Sequence, residues 1–214
     1  MEILNLYSGL GGNRLKWDAE HKVTAVEMDA EIAKAYAERF PNDTVIVGDA
    51  HDYLLNNYMK FDFIWSSPPC PTHGQYRYNV GVIGKGFVAV FPDMKLYEEI
   101  IFLKHYFKGD WVVENVKPYY EPLVKPIAIL ARHLFWGNFE IAAAEFATKH
   151  IRSKNKIEDY DNLGFDISKT KISNKRQALR NCVDSELGLH VLNCAVGKNL
   201  IKNASIQAVL WNTI

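Results

Sequence analysis

The 214 residues contain only three cysteines, Cys70, Cys182 and Cys194. They are too few and too widely spaced for a disulfide framework, and they lack the paired spacing of a zinc site. They read as reduced thiols, and no metal is expected. Net charge is missing too: 25 basic and 25 acidic side chains cancel, so any nucleic-acid partner must be held by a local basic patch rather than a global field. No uncharged apolar run approaches membrane-spanning length, and Met1 leads into the strand-like Glu2-Ile3-Leu4-Asn5-Leu6 without a basic flank or cleavage site. These absences point to a cytoplasmic protein with no membrane partner. Internal repeats, low-complexity tracts and interdomain linkers are absent as well. With 48% hydrophobic residues, the chain can bury one substantial core and reads as one domain with a small appendage.

What is present is an α/β rhythm. Residues 3–7 alternate apolar with polar and stop at Ser8-Gly9-Leu10-Gly11-Gly12-Asn13, after which Leu15 and Trp17 begin a helical pattern. A dinucleotide fingerprint needs a third glycine at position 14, where Arg14 stands, so a dehydrogenase loop is disfavoured. A tight strand-to-helix connection would look the same. A second strand over 22–26 ends in Glu27-Met28-Asp29, and residues 30–39 follow at helical spacing until Pro41. A carboxylate about twenty residues beyond a glycine loop is placed to accept from ribose hydroxyls, which selects Glu27, whereas Asp29 better fits a helix cap. A third β-branched run, residues 44–47, leads to Gly48-Asp49-Ala50, with Asp49 placed to accept from an adenine amino group.

The organising stretch is the apolar run 61–65, which ends in Ser66-Ser67-Pro68-Pro69-Cys70. The two prolines fix their own backbone and bias the preceding residues to extended conformations, holding one thiol beyond a strand end. Ligands of open α/β sheets bind at such ends. Cys70 is therefore a candidate nucleophile, although a small buried hydrophobe or a redox-sensitive loop thiol fits these residues equally well. Residues 72–90, with several glycines and Arg77, read as a long mobile loop able to act as a lid. A helix opens at Pro92, runs to about Phe107 and closes at Gly109. A fifth strand, 111–113, delivers Glu114 to the same sheet edge, as a general-acid candidate or a solvated acid. Residues 122–132 have helical spacing, and 133–141 read as a strand bent at Gly137.

Beyond residue 141 the rhythm stops. Residues 141–175 concentrate Lys149, Arg152, Lys154, Lys156, Lys169, Lys171 and Lys175, partly offset by Glu158, Asp159, Asp161 and Asp166. This is the local basic patch, or else a solvated insertion. Helix-like spacing returns over 176–214. The division expected is a core over 1–140, a short recognition segment over 141–175 and a helical return over 176–214.

Taken in order, Tyr7-Ser8-Gly9-Leu10-Gly11-Gly12, Glu27-Met28-Asp29, Gly48-Asp49, Ser67-Pro68-Pro69-Cys70 and Glu114-Asn115-Val116 resemble the ordered motifs of the cytosine-5 DNA methyltransferases. The resemblance covers the first 116 residues. It implies an α/β fold of the S-adenosylmethionine-dependent, Rossmann-like methyltransferase type: a mostly parallel seven-stranded sheet flanked by helices, its last strand antiparallel, with a small recognition insertion. It implies a cofactor site of Tyr7, Ser8, Gly9, Leu10, Gly11, Gly12, Glu27, Met28, Asp49, Ala50 and Pro68, with Asn203 from a faint later motif. Within that site it puts Tyr7 against the adenine, Glu27 on the ribose and Asp49 on the adenine amino group. It makes Cys70 the nucleophile and puts Glu114 at the target base.

Arg132-His133-Leu134-Phe135-Trp136 is similar in position to the family's arginine-rich motif but lacks its Gln-x-Arg-x-Arg form, leaving Arg132 as the catalytic arginine. Arg77, Lys154, Lys156, Arg176 and Arg180 are the implied DNA contacts. The recognition segment is short for the family, as in compact members carried by phages and mobile elements. The implied protein is a monomer that uses S-adenosylmethionine to methylate double-stranded DNA, as in restriction-modification. Two alternatives remain: the same chemistry on RNA cytosine, and a catalytically inactive cofactor-binding module acting through protein partners. For the leading reading, Glu114 is expected to be held protonated or to share a proton with ring nitrogen 3, its pKa raised by burial, as the sulfur of Cys70 adds to cytosine.

Overall fold

The computed structural model describes residues 1–82, 88–146, 167 and 170–197. Among them one sheet forms from β1 (Glu2–Leu6), β2 (Lys22–Glu27), β3 (Thr44–Val47), β4 (Phe63–Ser66), β5 (Asp110–Val116), β6 (Ala128–Leu130) and β7 (His133–Gly137). The strand order is β3-β2-β1-β4-β5-β7-β6. Strands β1 to β5 pair in parallel, while β7 runs antiparallel to both β5 and β6. This is the mainly parallel methyltransferase sheet with a reversed last strand that the motifs imply. Because sequence order turns back between β1 and β4, the carboxyl ends of those two strands flank a crevice. Tyr7 and Ser67 stand directly beyond them.

Parallel strands covered on both faces bury alternate residues into two separate cores. On one face Leu4, Leu6, Val26, Ile64, Val113 and Trp136 pack with Leu96, Ile100 and Leu103 of α4 (Lys95–Tyr106). On the other, Ile3, Val23, Phe63, Trp65, Val112 and Phe135 pack with Leu187 and Val191 of a C-terminal helix, Ser185–Ala195. Two helices start directly at strand ends on carboxylate caps. Asp29 accepts from the Glu31 and Ile32 amides to start α1 (Ala30–Arg39), and Asp49 accepts from the His51 and Asp52 amides to start α2 (Ala50–Asn57). The remaining α-helices among the described residues are α3 (Gln75–Val82) and α5 (Lys175–Arg180); Ser185–Ala195 is α6.

Three local expectations are corrected. The segment after Gly12 forms successive turns rather than a helix, because its polar side chains bond outward. The Asn13 amide donates to Asn5 at 2.8 Å, Arg14 donates to Asp43 and to the Trp17 carbonyl, and Trp17 donates to the Gly188 carbonyl. Within 122–132, residues 128–130 form β6, since they lie in register against β7 and the sheet's hydrogen bonds outweigh a helical spacing of apolar residues. Within 72–90, residues 75–82 form α3; Tyr78 stacks on Tyr119 at 4.7 Å between ring centroids and ties this helix to the exit of β5. Residues 147–166 and 168–169 of the recognition segment lie outside the described residues, and with them Lys154 and Lys156; Asn203 lies outside them as well.

Candidate active site

One cavity of about 250 Å³ lies along the carboxyl ends of the strands. At one end it is lined by Tyr7, Gly9, Glu27, Met28, Gly48 and Ala50, and at the other by Cys70, Glu114, Arg132 and His133, with Pro68 between them. Of the expected cofactor residues the structure therefore brings together Tyr7, Gly9, Glu27, Met28, Ala50 and Pro68. It does not bring in the rest of the glycine loop. Leu10 is buried in a small core with Ala35 and Leu179. Gly11 and Gly12 serve packing: a Cβ on Gly11 would lie 2.4 Å from the Phe40 ring, and one on Gly12 would lie 2.3 Å from the Val183 carbonyl oxygen. The Asp49 carboxylate is also engaged elsewhere, capping α2 through one oxygen and accepting from Lys95 at 3.2 Å through the other.

Glu27 is fixed from both sides. One of its oxygens accepts from the Gly9 amide and the other from the Asp29 amide, each at 2.9 Å, which leaves further lone pairs for a ligand in the cavity. Gly9 has φ +54°, and a Cβ there would meet nothing within 4 Å. Beside it, the Ser8 hydroxyl is buried and has no hydrogen-bond partner within the protein. A fixed carboxylate, open space over a glycine and an unsatisfied hydroxyl between two lining residues fit the ribose end of S-adenosylmethionine.

Beneath Tyr7 lies a group that the sequence did not single out. Glu99 of α4 is fully buried and accepts from the Tyr7 hydroxyl at 2.6 Å and the Ser66 hydroxyl at 2.5 Å, with His51 Nδ1 at 3.1 Å. Its hydrogen bond, set against burial, pulls the His51 pKa up. Burial first, then the Glu99 charge, pushes the Tyr7 hydroxyl far up, so it stays a donor. The only sequence signal was an acid among apolar neighbours on a buried helix face, because its partners come from three distant segments.

The Cys70 loop is held from β5. Asn115 Nδ2 donates to the Pro68 carbonyl at 2.9 Å, and the Cys70 carbonyl accepts from the His73 and Gly74 amides. Glu114 is buried at 5% exposure and contacts His133 Nδ1 through Oε1. Trp65 Nε1 donates to the Ser67 hydroxyl at 2.8 Å, and Ser67 is among the groups that lower the Glu114 pKa.

The charge state corrects the expectation for Glu114. Burial alone would raise its carboxyl, but His133, Ser67 and Arg132 together outweigh it and hold the group below the ordinary range, ionised rather than protonated. Burial pushes the Cys70 thiol up, and the Glu114 charge pushes it further against a partial pull from Arg132. The resting proton therefore sits on sulfur. Arg132 lines the cavity as expected, donating through Nε to His133 Nε2 and through Nη2 to the Arg180 carbonyl, both at 3.2 Å. Arg180 also lines it, with a buried Nε that has no hydrogen-bond partner. Arg176 is exposed on α5, outside the cavity lining, and Arg77 belongs to α3.

Comparison with known proteins now adds to this geometry. Residues 1–91 match the family model of the C-5 cytosine-specific DNA methylases, which bears out the resemblance carried by the motifs in that stretch. Among solved structures, a prophage-encoded protein of E. coli described as a DNA modification methyltransferase is 23% identical, with a TM-score of 0.37, over 56% of this chain and 33% of its own. DNMT2 from Spodoptera frugiperda is 24% identical, with a TM-score of 0.36, over 54% of this chain and 35% of its own. A SAM-dependent methyltransferase from Agrobacterium tumefaciens is 15% identical, with a TM-score of 0.41, over 56% and 40%. The aligned part thus spans about a third of the first two. No curated protein matches. Among the described residues, no helix is long and apolar enough to cross a membrane.

Proposed function

From a chain whose first 91 residues match the C-5 cytosine-specific DNA methylases and whose cavity fits S-adenosylmethionine, we propose a DNA (cytosine-5-)-methyltransferase that works through a covalent Cys70 adduct. The observation that carries the proposal is a single cavity in which Cys70 and Glu114 stand together, continuous with the fixed Glu27 carboxylate. S-adenosylmethionine, when bound, supplies an electrophilic methyl group on a sulfonium. Tyr7, Gly9, Glu27, Met28 and Ala50 would hold it.

Cytosine carbon 5 is a poor nucleophile until a sulfur adds at carbon 6, which makes an enamine. The resting charges dictate the order of proton movement. Cys70 gives up its thiol proton, the Glu114 carboxylate takes it and passes it to ring nitrogen 3, and the Sγ–C6 bond forms as that nitrogen gains its hydrogen. Once the methyl group is on carbon 5, loss of the carbon 5 proton to water expels the Cys70 sulfur, and ring nitrogen 3 returns its proton through Glu114 to the thiolate, restoring the resting thiol. A general acid and base so placed contributes roughly 10² to 10⁴ in rate. The target base must leave the duplex to reach Cys70 in the cavity, and α3, tied to the exit of β5 by the stack of Tyr78 on Tyr119, is the proposed cover. Arg180 and Arg176, with Arg77, Lys154 and Lys156, are the proposed phosphate contacts, so affinity should fall with salt.

The test is transfer of labelled methyl from S-adenosylmethionine to mixed-sequence duplex DNA and to transfer RNA, with identification of the modified base. 5-Methylcytosine in the duplex is the expected product. Label confined to RNA would move the substrate to RNA, and label on another base or on neither polymer would overturn the proposal.

A further inference from the structure

His133 is 7% exposed and stands where no motif assigned a role. Its two ring nitrogens have different partners. Nε2 faces Arg132 Nε at 3.2 Å, and a guanidinium nitrogen can only donate, so Nε2 carries the lone pair. The single ring proton is then on Nδ1, directed at Glu114 Oε1. Arg132 is itself held by the Arg180 carbonyl. The result is one directional chain from Arg180 through Arg132 and His133 to Glu114, in which the fixed arginine donor sets the histidine tautomer and the tautomer sets which Glu114 oxygen is engaged.

The other charged or titratable groups at the His133 end of the cavity are Glu114 from β5, Cys70 from the loop after β4, Arg132 from the turn before β7 and Arg180 at the end of α5, while Tyr7 and Glu27 line its far end. Only the histidine and the carboxylate can exchange a proton in this chain, since guanidinium groups stay charged. A second proton on the ring would turn Nε2 into a donor facing the Arg132 donor and break the contact.

We infer that His133 is a positioning residue for methyl transfer: locked by Arg132, it holds Glu114 as an aimed carboxylate. The inference rests on the reading of Cys70 and Glu114 as the reacting pair. It assigns the bracing of the catalytic carboxylate to an imidazole whose two ring nitrogens are both engaged.

Three proteins decide it: wild type, His133→Ala and His133→Asn, whose amide nitrogen stands about where Nδ1 does. Two profiles against pH are taken. One is methyl transfer to duplex DNA; the other is iodoacetamide labelling of Cys70 without cofactor or DNA, read by peptide mass spectrometry. In His133→Ala, transfer should fall about a hundredfold, the scale expected when a reacting group loses its placement. Cys70 labelling near neutral pH should rise instead, because a Glu114 without its partner takes a proton and ceases to oppose the thiolate. Movement of the two readouts in opposite directions is not the mark of a merely loosened structure. His133→Asn should regain most of the transfer. Superimposable labelling profiles in all three proteins, or a His133→Asn variant as slow as His133→Ala, would overturn the inference. Labelling needs no substrate, so a wild type that methylates no cytosine would instead refute the underlying reading, whatever the labelling shows.

Discussion

Glu27 offers the sharpest test of the cofactor end, because the structure distinguishes two substitutions there. Its two oxygens hold two backbone amides, Gly9 and Asp29, each at 2.9 Å, and it lines the cavity. In Glu27→Gln one end of the side chain becomes a donor and faces an amide hydrogen, so one of the two contacts is lost and the charge disappears. In Glu27→Ala both contacts and the ligand contact are lost. Hydrogen bonds to a charged group contribute about 1.5–3 kcal/mol each, and 1.4 kcal/mol is about tenfold in affinity. Glu27→Gln should therefore weaken binding by about tenfold, and Glu27→Ala by about a hundredfold. Calorimetric titration with S-adenosylhomocysteine, the demethylated cofactor, measures both without turnover, and circular dichroism checks the fold. Equal affinity in wild type and a folded Glu27→Ala would refute the ribose assignment. Equal losses in the two variants would show that the charge, which both remove, decides binding, and not the number of amide contacts kept.

Two further substitutions test how the site is held. Gly12→Ala would drive a methyl group to 2.3 Å from the Val183 carbonyl, so the chain must shift; a loss of about 1–3 kcal/mol, read as a lower thermal midpoint, is expected. Glu99→Gln removes the charge that raises the His51 pKa. A raised histidine contributes stability that is fully present below its unfolded value near 6.5 and is lost as pH rises through the folded value. The thermal midpoint of wild type should therefore decline through that window more steeply than that of Glu99→Gln; parallel curves would refute the coupling.

Much of the sheet was legible because parallel strands buried on both faces are written as short apolar runs, and each of the first strands ends at a glycine or an acid. Glu27 and Cys70 could be placed from that punctuation alone. Ala128–Leu130 could not, because three residues are too few for alternation to show, and their identity as a strand comes from register against β7. The turns after Gly12 were missed for a related reason. Leu15 and Trp17 have helical spacing, but Asn13, Arg14 and Trp17 spend their hydrogen bonds on Asn5, Asp43 and the Gly188 carbonyl, all distant in sequence. The charge of Glu114 was misjudged because burial was visible in the sequence and its partner was not. His133 lies nineteen positions away, and only the antiparallel pairing of β7 with β5 brings it across.

The central claim is that Cys70 forms a bond to cytosine. The direct measurement is intact and peptide mass spectrometry of the protein after incubation with S-adenosylmethionine and a mixed-sequence duplex in which cytosine is replaced by 5-fluorocytosine, whose fluorine cannot leave as a proton does. The account predicts a stable protein–DNA adduct, with the modification on the peptide that carries Cys70. It should be absent from Cys70→Ala, a variant that should keep its affinity for the cofactor. Cys182 is buried, with its thiol pushed up to about 12, and Cys194 is buried as well, so neither should react. An adduct on either of them, or no adduct from a protein that methylates the unmodified duplex, would contradict the account.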